Sequence, residues 1–88
     1  MAIDTTKLLT SKALEGKAIL GRERVLKELK AGRLGTVFLA KNCPQKVKDD
    51  VQYYARLAAI PVIQLEHSNE EIGVLCKKNF FISVAGIA

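Results

Sequence analysis

The sequence predicts an α/β fold, a three-layer α/β/α sandwich with a central mixed four-stranded sheet. Three observations lead there. Short apolar runs recur at "KAIL" (17–20), "TVFLA" (36–40), "IPVIQL" (60–65) and "FFISVAGIA" (80–88), as strands do. Between and before them lie segments whose apolar residues repeat at helical spacing. The resulting order, α-β-α-β-α-β-α-β, calls for helices on both faces of one sheet. At 88 residues, 49% hydrophobic and 26% charged, the chain has the size and composition of one globular domain, residues 1–88.

Each element has its own signal. Asp4, Thr5 and Thr6 offer N-cap chemistry to a first helix, with Leu8, Leu9, Ala13 and Leu14 as its apolar side and Gly16 as its stop. "KAIL" is short, apolar and bounded by glycines. From Arg22 to Ala31, Val25, Leu26 and Leu29 repeat at helical spacing while Arg24, Lys27, Glu28 and Lys30 face outward. Gly32 and Gly35 bracket the turn into "TVFLA", which lacks alternation and reads as a strand buried on both faces. Pro44 opens the third helix, 45–59, in which Val47, Val51, Tyr54 and Ala58 define the apolar side. "IPVIQL" is a second buried strand with Pro61 at its start, where no ladder hydrogen bond is lost. Ser68 with Glu71 forms a capping box for a short helix through Ile72 and Leu75. In the last strand, alternation puts one of Phe80 and Phe81 in the core.

Charge is unevenly spread. The net charge is +5, yet residues 1–48 carry eleven Lys/Arg against four Asp/Glu, and residues 49–88 carry three against five. The first half therefore attracts polyanions and the second does not. Cys43 and Cys76 lie far apart with no companion ligand pairs, so no metal site is expected. No signal peptide and no apolar run of membrane-spanning length occur, so the expectation is a cytoplasmic protein with reduced thiols and no membrane partner.

Catalysis finds little support. His67 is the only histidine, and its neighbours Glu66 and Ser68 cannot converge on it as a triad. Neither phosphate-binding glycine pattern is present. No cofactor and no small-molecule substrate are expected. Anion binding fares better. A helix starting after Gly21 aims free backbone N–H groups outward at a strand end. If the strands are suitably arranged, the loops "GRER", "KNCP" and "KKNFF" share one crevice. They would gather Arg22, Arg24, Lys27, Lys41, Asn42, Lys77, Lys78, Asn79 and Phe80. Cations for phosphates, amides for base edges and an aromatic face for stacking suit structured RNA.

The segments "LKELKAGRLGTVFLAKNCP", "YYARLAAIPV", "NEEIG" and "KKNFFISV" resemble the thirty-type family of archaeal and eukaryotic large-subunit ribosomal proteins. That family belongs to a superfamily of α/β/α proteins binding kink-turn RNA. The resemblance runs from about Glu15 to Ile87, and "KNCP" followed by the "YYARL" helix is its most specific part. It implies a non-enzymatic ribosomal component with ribosomal RNA and neighbouring ribosomal proteins as partners. It also implies the contact set: Gly21, Arg22, Glu23, Arg24 and Lys27; Lys41, Asn42 and Pro44; and Lys78, Asn79 and Phe80. In it Gly21 admits a phosphate, Arg22, Lys27 and Lys41 neutralise it, Asn42 bonds a base or holds a neighbouring loop, and Phe80 presses on an unstacked base.

Two departures accompany the resemblance. Members best known for kink-turn recognition carry Asn-Glu two residues past the glycine, where this chain has Glu23-Arg24, a difference that favours the thirty-type branch. The family's acidic, glycine-containing tail is not present before Ala88. The competing readings are a protein-interaction module, contacting partners through Tyr53 and the acidic residues of 49–88, another kink-turn ribonucleoprotein component of the superfamily, and a nucleotide-binding enzyme. The last lacks its motifs.

Overall fold

Residues 5–88 are described by a computed structural model. The elements follow the expected order: α1 (Thr5–Leu14), β1 (Ile19–Leu20), α2 (Arg22–Lys30), β2 (Thr36–Leu39), α3 (Gln45–Leu57), β3 (Val62–Gln64), α4 (Asn69–Leu75) and β4 (Val84–Ile87). The expected cap at Asp4 lies outside the described residues. The sheet order is β1-β4-β2-β3. β4 is antiparallel to both neighbours, with Leu20 opposite Ala85 and Leu39 opposite Val84, and β2–β3 is parallel, with Phe38 opposite Ile63. The sheet is therefore mixed. β1, β2 and β3 run one way and end at one edge, and β4 starts there.

Layering follows from burial. Val37, Phe38, Leu39 and Ala40 are all buried, and neighbouring strand residues point to opposite faces, so both faces of β2 are covered. α2 packs against α3 and also against β4. α1 lies on β4 without a comparable contact to either of those helices, which fits the opposite face. The core joins Leu9, Val25 and Leu29 from the helices before β2 to Val47, Val51 and Ala55 of α3, Ile72 of α4 and Ile82 beyond it.

Several expectations need correction. β3 is not a second buried strand: it is one of the sheet's two outer strands, so Val62 and Ile63 are only partly covered and Gln64 is exposed. On α3 the buried row is Val47, Val51, Ala55, with Tyr54 half-covered and Ala58 exposed. On α1 Leu9 is fully buried, while Leu8 and Leu14 are exposed, because a single stripe meets the sheet. The largest difference is at the C-terminal strand. It begins at Val84, not at Phe80, and both Phe80 (48%) and Phe81 (66%) are exposed. Strand alternation does not apply to them because they lie in a loop.

All four helices end the same way. The N–H groups of the two residues after the C-cap return to carbonyls in the last turn: Gly16 and Lys17 to Ala13 and Lys12, Gly32 and Arg33 to Leu29 and Glu28, Ala59 and Ile60 to Arg56 and Ala55, Lys77 and Lys78 to Val74 and Gly73. The motif places its first residue in the left-handed region. Glycine meets that demand at Gly16 (φ 74) and Gly32 (φ 69), whereas Ala59 (φ 56) and Lys77 (φ 58) meet it with a side chain attached.

Candidate nucleic-acid interface

Because β1, β2 and β3 end together and β4 begins beside them, the segments after β1, after β2, after β3 and before β4 meet at one edge. Backbone hydrogen bonds stitch them there. Gly21 N–H donates to Val84 O (3.0 Å), Ala40 N–H to Ser83 O (2.9 Å), Lys41 N–H to His67 O (2.8 Å) and Leu65 N–H to Leu39 O (2.8 Å). Topology thus meets the condition under which "GRER" and "KNCP" share a crevice.

At that edge Gly21 is the N-cap of α2 with φ 103 and ψ 147, a conformation essentially restricted to glycine. A Cβ there would meet nothing within 4 Å, so the glycine serves the backbone angle and leaves open space in front of it. It has no side chain to cap the helix, and Pro44 gives α3 no side-chain cap either. The first turns of both helices therefore present N–H groups outward. α4 differs: Ser68 accepts from Glu71 N–H (3.2 Å) and Glu71 accepts from Ser68 N–H (2.9 Å), closing that terminus. These bonds, the backbone donor first, hold the Glu71 carboxyl below the usual glutamate range.

The cations around the two open helix starts are exposed, except for the half-buried Lys48. Arg22 and Arg24 lie in the first turn of α2 with Glu23 between them, Lys41 lies in the β2–α3 loop, and Lys46 and Lys48 in the first turn of α3. Among the described residues the ion pairs within 4.0 Å are Lys17–Glu15, Arg33–Glu28 and His67–Glu71, which leaves all five of these cations outside any such pair. Lys27 sits elsewhere. With Arg24, Ile19 and Glu28 it lines a hollow of about 270 Å³ beside the outer strand β1, a turn back from the strand ends.

Asn42 has the loop-holding part. Its Oδ1 accepts from Asn69 N–H (2.8 Å) and its Nδ2 donates to Asn69 Oδ1 (3.1 Å). Asn69 in turn donates from Nδ2 to Ser83 Oγ (3.3 Å), and its carbonyl accepts from Ile82 N–H (3.0 Å). One side-chain pair therefore joins the β2–α3 loop, the start of α4 and the approach to β4. Asn69 and Ser83 are the positions that sequence reading missed. An amide directly after a capping serine is the only signal Asn69 gives.

Lys78, Asn79 and Phe80 belong to the segment that returns along α4 toward the edge. Lys78 N–H donates to Gly73 O (2.9 Å). Gly73 is buried, and a Cβ on it would strike the Phe80 carbonyl, so the glycine sets how closely the aromatic loop lies on the helix. Phe80 is thus held about one helical turn, roughly 6 Å, back from Asn69 and the strand ends. Cys43 and Cys76 are both free and buried, and burial pushes both thiols up. Among the described residues no cluster of potential metal ligands occurs and no helix is long and apolar enough to cross a membrane.

Fold and edge together define a small α/β/α sandwich with a basic strand-end rim. The chain belongs to the ribosomal protein L7Ae/L30e/S12e/Gadd45 family, whose description matches residues 4–88. Its relatives include large ribosomal subunit protein eL30 of Methanocaldococcus jannaschii, 40% identical over 78 residues, covering 89% of this chain and 71% of that one. The eL30 protein of Sulfurisphaera tokodaii is 39% identical over 72 residues, covering 82% and 68%. That of Candida albicans is 35% identical over 85 residues, covering 97% and 78%. These relatives are named as ribosomal proteins, not enzymes, in keeping with a non-catalytic chain. Among solved structures, a Giardia lamblia 15.5 kD RNA-binding protein superposes with a TM-score of 0.77 at 17% identity, covering all of this chain and 78% of that one. A Bacillus halodurans protein of unknown function gives 0.85 at 21% identity, covering 98% and 85%. At those identities the likeness is one of fold.

Proposed function

We propose that the protein is a constituent of the large ribosomal subunit, acting in the cytoplasm, whose residues 1–88 form one domain binding ribosomal RNA at a sharply bent, kink-turn-like internal loop. The observation that carries this reading is the meeting of two uncapped helix starts and the cations Arg22, Arg24 and Lys41 at one rim. Family membership and the eL30 relatives support the ribosomal setting.

In this mechanism the backbone at Gly21 and the first turn of α2 receive a phosphate, since N–H groups at a helix start and no side chain stand in its way. Arg22, Arg24 and Lys41 neutralise neighbouring phosphates, and Lys27 and Lys78 extend the basic track on either side. Glu23 is the acceptor of the set, suited to an amino group on an exposed base edge. Asn42 and Pro44 fix the middle loop. Phe80 offers a ring to an unstacked base, with Asn79 beside it.

The test is a titration with a kink-turn RNA and a straight duplex of equal length at two salt concentrations. Selective binding to the bent RNA is expected. Lys41→Glu should lower affinity about tenfold, about 1.4 kcal/mol, with an unchanged melting temperature because Lys41 is exposed. Each lost phosphate contact should flatten the slope of log affinity against log salt by about 0.7–0.9. Equal, weak binding to both RNAs, or a Lys41→Glu variant that binds as its parent does, would overturn the proposal.

A further inference from the structure

We propose that the outer face of α4, centred on Val74, docks a basic, apolar-anchored peptide segment of a neighbouring protein. The inference rests on the ribosomal reading only for the setting; its centre, Val74 and Glu70, takes no part in the proposed RNA contacts, although one margin adjoins the Lys78–Phe80 loop that does. Val74 is 69% exposed on a helix, and it forms a ridge between two hollows. One, of about 210 Å³, lies against His67, Glu71 and Leu75. The other, of about 180 Å³, is bounded by Glu70, Lys78, Asn79, Phe80 and Phe81. An apolar side chain gripping a ridge with a hollow on each side buries more area than one on a flat surface.

Charge selects the partner. Glu66, Glu70 and Glu71 are exposed on or beside this face, and among the described residues none makes an ion pair with a Lys or Arg. The nearby cations are Lys78 at one margin and Lys77 beside it, and the His67 imidazole lies 3.8 Å from Glu71. On a protein of net charge +5, this is a locally acidic, apolar patch. Such a patch repels phosphate and attracts Lys/Arg side chains, so a protein segment and not RNA fits it. The hollow between α2 and α3, lined by Lys30, Tyr54 and Leu57 among others, has no carboxylate in its wall and lacks this match.

The experiment uses the full chain labelled with ¹⁵N and a synthetic dodecapeptide in which Lys and Arg alternate with Leu. Expected is saturable binding whose chemical-shift changes cluster on residues 66–81 and spare Gly21, Arg22 and Lys41. Glu70→Gln and Val74→Ala should each weaken the peptide at least threefold, and a peptide with Ser for Leu should bind at least tenfold more weakly. Both substituted side chains are exposed, and circular dichroism checks the fold. Neither variant should change affinity for kink-turn RNA, so this proposal and the RNA reading fail separately. Shifts centred on Tyr54 and Leu57, unaltered peptide affinity in Val74→Ala, or RNA binding lost in that variant would overturn the proposal. A concentration-dependent dimer dissolved by Val74→Ala would assign the face to a second copy and overturn it equally.

Discussion

Replacing Ala59 by glycine should make the protein more stable, although glycine at most positions does the reverse. Ala59 follows the C-cap of α3 at φ 56, and its N–H and that of Ile60 close the helix onto Arg56 O (3.2 Å) and Ala55 O (2.8 Å). A left-handed conformation costs a residue with a Cβ about 1–2 kcal/mol. Glycine removes that strain but brings back about 0.5–1 kcal/mol through its freer unfolded chain. The net gain is about 0–1.5 kcal/mol, centred on about 0.7, and that central value raises the melting temperature of a domain of this size by roughly 3–6 °C. Thermal and urea unfolding of Ala59→Gly measure it directly. Ala58→Gly is the internal control: Ala58 is equally exposed but has φ −92 and ψ 0, so glycine there should cost about 0.5–1 kcal/mol. Two adjacent alanines should thus respond with opposite signs. Were both substitutions to destabilise the protein, the left-handed geometry assigned to Ala59 would be wrong.

Other perturbations address the site. Gly73→Ala drives a methyl group against the Phe80 carbonyl, so it should cost about 1–3 kcal/mol and displace Phe80, weakening RNA binding as well as lowering the melting temperature. Asn69→Ala removes the partner of Asn42 Nδ2 and of Ser83 Oγ but keeps the backbone N–H that Asn42 Oδ1 accepts from; a loss of about 1 kcal/mol is expected, with faster amide exchange at Lys41–Cys43 and Ile82–Ser83. Glu71 has a depressed pKa in the folded state, so its contribution is complete above the ordinary glutamate value. That contribution is lost as pH falls through the folded one. Glu71→Gln retains an acceptor for Ser68 N–H while removing the charge, and should flatten the acid limb of a stability–pH curve.

The order of all eight elements was legible because glycines, caps and apolar runs punctuate the chain so regularly. Their extents were less so. "IPVIQL" and "TVFLA" look alike in composition, and only the pairing order makes one outer and the other central. The step from Phe80 to Phe81 reads as strand, yet the chain there is still returning along α4, and Ile82 is the first residue to enter the core. At the candidate site, charge and the glycine-led helix start were visible in one dimension. The Asn42–Asn69 pair was not, because the two residues are 27 positions apart and meet only through the parallel pairing of β2 and β3.

The reversed strand has a consequence for synthesis. β4, the latest of the strands in sequence, lies between β1 and β2, and among the described residues β1 pairs with no other strand. While a nascent chain emerges, α2, β2, α3 and β3 can associate early, but β1 has no hydrogen-bonding neighbour until Val84–Ile87 is released. The sheet is therefore completed by a long-range closure once Val84–Ile87 has emerged rather than growing strand by strand. Gly21, held by Val84 O, reaches its final position in the same event. A growing chain can assemble the basic rim only after its own synthesis has passed the final strand.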